Sequence, residues 1–226
     1  MILYVNGDSH SAGAEAVNNF CFANDDPLYY ALGRIPHPDN ERVSYGCNIA
    51  NELYAVFHCD AESASSNSRI LRTTRDYITN EGHPDFVIIG WATWEREEWL
   101  HEGTYWQVNA GGVGHDWPNT IKEKYIDYVA SIDIKQAEQQ AHNDIHQLHT
   151  ELMDLKIPHV FFNTYNHFQQ EQKDWHDSYV DPYNHDMTYY NWSINQGCKP
   201  KSGYHFGVDA HRKWADFLLP RLTKIL

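Results

Sequence analysis

Three short, continuously apolar runs constrain this chain most: Ile2-Leu3-Tyr4-Val5, Asp85-Phe-Val-Ile-Ile-Gly90 and His159-Val-Phe-Phe-Asn163. Each is too short for a helix. Asp85 to Gly90 lacks the alternation of a half-exposed strand and reads as a central parallel strand buried on both faces. Helical patterns fill the intervals. Ser44 caps a helix over Ser44–Phe57 whose apolar face is Ile49, Ala50, Leu53, Ala55, Val56 and Phe57. A second runs from Ser68 to Asn80 and a third from Pro118 to Ser131. The stripe Ile134, Ala137, Ala141, Ile145, Leu148, Leu152 and Leu155 makes Asp133–Lys156 a long helix, and a last helix runs from Gly207 or Val208 to Lys224. Strands alternating with helices predict an α/β fold: a mostly parallel sheet with helices on both faces, in three layers. A further short strand is expected around His58 to Ala61.

The 226 residues fit one domain, 1–226, with long loop insertions around 11–43, 91–117 and 164–204. The first insertion has room for a short helix near Tyr29 to Leu32, and Ala110-Gly-Gly-Val-Gly114 reads as a flexible loop without nucleotide-loop context. A net charge of −14 argues against nucleic acid and anionic membrane surfaces as partners. No apolar run approaches the ~20 residues of a membrane helix. No signal peptide is recognisable, and the cysteines Cys21, Cys47, Cys59 and Cys198 show no paired spacing, so a reduced, cytoplasmic protein is expected. The sequence leaves the oligomeric state open.

The first run ends abruptly at Gly7-Asp8-Ser9. Glycine permits a sharp turn, and a serine just beyond it lies at the carboxyl end of a strand, where open α/β sheets place their ligands. Strand, tight turn and exposed serine make a nucleophile site; the same residues also make an ordinary strand-to-loop turn. A nucleophile needs a base, and His205, in the loop before the last helix, can reach over the sheet edge toward Ser9. His211 lies inside that helix and reads as a packing or capping residue.

Gly7-Asp8-Ser9 near the start and His205 before a C-terminal helix resemble the first and last blocks of the SGNH (GDSL-type) hydrolases. Ser65-Ser66-Asn67-Ser68-Arg69-Ile70 stands where the second block falls, and Asp85 to Gly90 resembles the strand leading into the third. The resemblance implies a flavodoxin-like three-layer α/β/α sandwich and a serine ester or acyl hydrolase without a cofactor or metal. It implies Ser9 as nucleophile and His205 as base, with oxyanion donors from Ser9 and from Ala64 or Ser65. In the third block Ala92 stands where the family has an Asn donor, leaving Asn67, Thr93 or Arg96 to substitute. The Asp usual three residues before the histidine is Ser202 here, so the site works as a dyad or takes an acid from elsewhere, such as Asp181 or Asp186.

Asp8, Trp91 and Arg96 are candidate substrate contacts. Arg96 could hold a carboxylate or phosphate, or pair with Glu95, Glu97 or Glu98. Trp91, Trp94, Trp99 and Trp106 suit either stacking on sugar rings or packing. The expected partner is thus a small-molecule or carbohydrate ester, with acetyl removal from a sugar as one subclass. A non-catalytic binding protein on the same fold is the alternative. A metal-dependent hydrolase is a third: His142, His146 and His149 share one side of the long helix, although a solvated polar face is the simpler reading.

Overall fold

The computed structural model describes residues 1–22, 35–110 and 117–225. The helix expected near Tyr29 to Leu32 and most of the Ala110–Gly114 loop lie outside those residues. In chain order the elements are β1 (Ile2–Gly7), α1 (Pro38–Glu41), α2 (Tyr45–Glu52), β2 (Val56–Cys59), α3 (Asn67–Asn80), β3 (Phe86–Trp91), β4 (Glu97–His101) and β5 (Thr104–Val108). They continue with α4 (Asn119–Ser131), α5 (Ile134–Asp154), β6 (His159–Asn163), α6 (Tyr189–Asn195), β7 (Pro200–Ser202), β8 (His205–Phe206) and α7 (Val208–Ile225).

Four strands form one parallel sheet in the order β2-β1-β3-β6. Alternate residues feed two cores. Leu3, Val5, Ile88, Val160 and Phe162 pack with Ile49 of α2 and with Trp214, Leu218 and Leu222 of α7. Tyr4, Val87, Ile89, Trp91 and Phe161 pack with Ile70 of α3 and with Ile145, Leu148 and Leu152 of α5. Both faces of the sheet are therefore covered, which gives three layers and explains why the strand sequences run apolar without alternation. The order is that of four flavodoxin-like strands, and it reverses direction between β1 and β3, the point where such sheets bind ligands.

Three elements depart from the sequence expectation. The first helix stops at Glu52, because Tyr54 adopts a left-handed φ of 52°. Val56 and Phe57 then belong to β2, which pairs with β1 from Ile2↔Val56 to Val5↔Cys59. The 91–117 insertion contains the hairpin β4–β5, whose two turn residues, Glu102 and Gly103, both have positive φ (50° and 79°). That matches the twist of a tight hairpin. Within 164–204, Thr188 caps α6 by accepting from the Asn191 amide.

The histidines of α5 are also corrected. His142 and His149 are buried, not solvated. His142 packs at a tilt against Phe168, and His149 Nδ1 lies 2.8 Å from His159 Nε2. Burial holds His142, His149 and His159 down at about 4.

Candidate functional site

The site begins at Gly7, whose φ is 151°. A Cβ there would stand 2.1 Å from Ser11 Oγ and 2.7 Å from Gly90 O, so only glycine lets the chain turn between β1 and β3. The turn is then fixed by Ala12 N donating to Asp8 O (3.0 Å) and Ala14 N donating to Ser9 O (2.8 Å). Ser9 is thereby held at the carboxyl edge of β1; it is buried, 4% exposed, and not the exposed serine expected from the sequence, because the turn folds back over it, and its hydroxyl makes no hydrogen bond among the described residues.

The loop after β2 docks beside it. Glu62 N donates to Gly7 O (3.2 Å), and Arg96 Nη1 bridges Asp8 Oδ2 (3.1 Å) and Ser65 O (3.4 Å). Ala64 has a left-handed φ of 67°, a conformation that favours glycine. The Ser65 amide is spent on Glu62 O, whereas the Ser9 and Ala64 amides make no hydrogen bond among the described residues. Two backbone donors are therefore available at this turn. Beneath the loop, Glu62 is fully buried and takes Arg69 Nη2 at 2.7 Å and Gln107 Nε2 at 3.2 Å, tying the loop to α3 and to the hairpin.

His205 arrives on β8 after the turn at Gly203-Tyr204. Its ring centroid is 5.1 Å from that of His10, the residue following Ser9. Its Nδ1 lies 2.7 Å from Glu15 Oε2, and its Nε2 is buried without a hydrogen-bond partner among the described residues. A carboxylate can only accept, so the Nδ1 proton points at Glu15 and the Nε2 lone pair is left open. Burial, aided by the His10 charge and opposed by Glu15, holds the His205 pKa down at about 4. The ring is thus neutral near pH 7. No hydrogen bond joins Ser9 Oγ to His205. The partner of Nδ1 is Glu15, not the Asp181 or Asp186 considered from the sequence; Asp186 instead sits beside His185.

Asp8 is fully buried. Burial pushes its carboxyl up, but the adjacent His10 ring, its hydrogen bonds and Arg96 outweigh that and hold it down at about 2. Arg96 therefore pairs with Asp8, not with the glutamates around it. His211 is buried on α7 with Nδ1 3.4 Å from the Tyr189 hydroxyl. Beside the turn, on Arg96 and Tyr165, which touch Asp8 and His10, lies a cleft of about 390 Å³ lined by Thr93, Glu95, Arg96, Asn109, Ala110, Tyr165 and Tyr204; Ser9 and His205 do not line it.

The remaining candidates divide. Thr93 and Arg96 reach the cleft. Asn67 is anchored to the strand end: Nδ2 donates one N–H to Ala92 O (3.1 Å) and Oδ1 accepts from Ala92 N (2.9 Å), which leaves the second Nδ2 proton. Trp91 is fully buried in the sheet core at the edge of Phe161, which removes it as a substrate contact. Trp94 stacks on Phe168, and Trp99 packs against Tyr128 beneath Lys124. The aromatic wall of the cleft is tyrosine.

Sequence reasoning missed Glu15, His10, Tyr165 and Tyr204. His10 adjoins the Gly-Asp-Ser block and could have been found by proximity. Glu15 is 190 residues from its partner in a loop without periodicity, and no sequence pattern links them.

No protein-family model and no curated protein matches this chain. Solved structures with a similar arrangement include a carbohydrate esterase family 2 enzyme of Corynascus thermopiles (Myceliophthora fergusii), 14% identical with a TM-score of 0.47, covering 99% of this chain and 65% of that one. A family two carbohydrate esterase of Clostridium thermocellum, in complex with cellohexaose, is 13% identical with a TM-score of 0.48, covering 98% and 63%. A protein assigned to the G-D-S-L lipolytic family of Desulfitobacterium hafniense is 10% identical with a TM-score of 0.37 over the whole of both chains. The chain spans under two thirds of the length of those two carbohydrate esterases. Likeness at this level assigns no chemistry to this chain.

Proposed function

We propose that this protein is a serine ester hydrolase acting on an ester or acetyl group of a small molecule or carbohydrate, with Ser9 as nucleophile and His205 as base. The observation that carries the reading is His205 itself: one nitrogen held by a carboxylate, the other buried, unpartnered and basic, beside the turn that carries Ser9. A buried polar nitrogen without a partner is uncommon in a folded protein and belongs where a proton is to be received.

In the proposed reaction His205 Nε2 takes the Ser9 proton as Ser9 Oγ attacks the ester carbonyl. The Ser9 and Ala64 amides receive the developing oxyanion. His205 returns the proton to the leaving alcohol, and the acyl-enzyme remains. Water, deprotonated by the same nitrogen, then releases the acid and regenerates Ser9. Glu15 keeps the imidazole in the tautomer this requires.

The test is hydrolysis of p-nitrophenyl acetate and of an acetylated monosaccharide by wild type and S9A. Loss of turnover with an unchanged melting curve is expected; undiminished hydrolysis by S9A rules the assignment out. A ligand-binding protein on the same fold is the second reading, favoured by the lack of a Ser9–His205 hydrogen bond. It expects no turnover by the wild type.

A further inference from the structure

A second histidine–carboxylate pair stands at the same turn. His10 Nδ1 faces Asp8 Oδ1 at 3.3 Å, and Arg96 holds the other Asp8 oxygen. His10 Nε2 faces Tyr204 O at 3.3 Å and the Tyr165 hydroxyl at 3.0 Å. Asp8 Oδ1 and Tyr204 O can only accept, so each draws a proton from the nitrogen it faces. With both nitrogens donating, the Tyr165 oxygen accepts from His10 and its own O–H is left for another partner. Burial pushes the Tyr165 pKa up, so the phenol stays protonated. Tyr165 lines the cleft.

The position of Tyr165 follows from the sheet. Trp91 of β3 pairs with Asn163 of β6, so Thr93 and Tyr165 leave adjacent strands at the same level, over the turn that carries Ser9. The amides of Ser9 and Ala64 are backbone donors, and the Asn67 amide is tied to Ala92 through Oδ1 and one of its two N–H groups. A hydroxyl at the end of the Asp8–His10 hydrogen-bond chain is a strengthened donor, because each hydrogen bond in such a chain polarises the next.

We infer that the Tyr165 hydroxyl is a catalytic hydrogen-bond donor to the ester's oxyanion, with His10 and Asp8 as the positioning residues behind it. The inference rests on the reading of Ser9 as nucleophile. It is tested by the rate at which a small alkyl fluorophosphonate modifies wild type and Y165F. In that reaction Ser9 Oγ bonds to phosphorus, fluoride leaves, the proton goes to His205, and the phosphoryl oxygen takes the place of the ester oxyanion.

Y165F should react about 10- to 100-fold more slowly. The acid limb of its pH–rate profile and its melting temperature should be unchanged. An unchanged rate overturns the inference. So does a slower rate with a shifted acid limb, because Tyr165 would then act only by positioning His205, and so does a slower rate that merely tracks lost folded protein. Wild type that is not modified at Ser9 removes the nucleophile itself, an outcome distinct from the other three.

Discussion

In the proposed reaction, Glu15 decides how well His205 can work. The 2.7 Å contact fixes the ring and its tautomer, and the carboxylate steadies the imidazolium formed when the Ser9 proton is taken. E15Q should lower kcat by roughly 10²- to 10⁴-fold, the range seen when an orienting carboxylate is neutralised. The pH dependence follows from the same residue. His205 works only when neutral, and its pKa is held down to about 4, so kcat/KM should be lost as pH falls through about 4 and be flat from there toward 7. Glu15 opposes the downward shift, so E15Q should move the acid limb lower still. Initial rates between pH 3 and 8 check both effects. A limb near 6.5 would show that the burial of His205 is not felt in solution. The placement of Ser9 and His205 at one edge of the sheet was legible in the sequence, because a serine after a strand-ending glycine and a histidine before a terminal helix each have a local signature. Glu15 was not, because its role depends on a turn that no periodicity announces. Asn67 was named for its chemistry, and only the structure reveals that Ala92 anchors it through Oδ1 and one Nδ2 proton.

Between elements, the buried Glu62–Arg69 pair is what sets the loop carrying Ala64 against β1. Glu62 is inaccessible to solvent and takes Arg69 at 2.7 Å and Gln107 at 3.2 Å, so α3, β5 and the loop carrying Ala64 share one ionic anchor. Removing one partner of a buried pair strands the other charge. R69A should therefore cost about 3–5 kcal/mol, measured by urea unfolding. A loss under about 1 kcal/mol would mean that water reaches Glu62 and the anchor is weak. The strands of the parallel sheet were the most legible elements, since β3 and β6 are buried on both faces and carry no polar interruption. β2 was harder to read. It is an edge strand that follows a helix after one residue of reversed φ, and Val56 and Phe57 fit a helical face as well as a strand. The β4–β5 hairpin escaped because Glu102-Gly103 is a less familiar way to supply two positive φ angles than the usual Asn-Gly.

At the scale of the molecule, the strand order places one boundary, between β1 and β3, where loops diverge and a ligand can enter. The turn that carries Ser9 and the loop after β2 meet there, Arg96 and Tyr165 connect that turn to the 390 Å³ cleft, and His205 is brought in from the far end of the chain. That architecture was readable from the alternation of apolar runs and helical stripes. The wall of the cleft was not: the tryptophans of the 91–117 insertion suit stacking on a sugar equally well as a sequence, and packing used Trp91 and Trp94 for the core instead. Among the described residues no helix is long and apolar enough to cross a membrane. The most direct test of the account is to treat the protein with a fluorophosphonate and locate the adduct by peptide mass spectrometry. A single adduct on Ser9, absent from H205A, is predicted. No adduct, or an adduct on another serine, would contradict the assignment of Ser9 as the nucleophile.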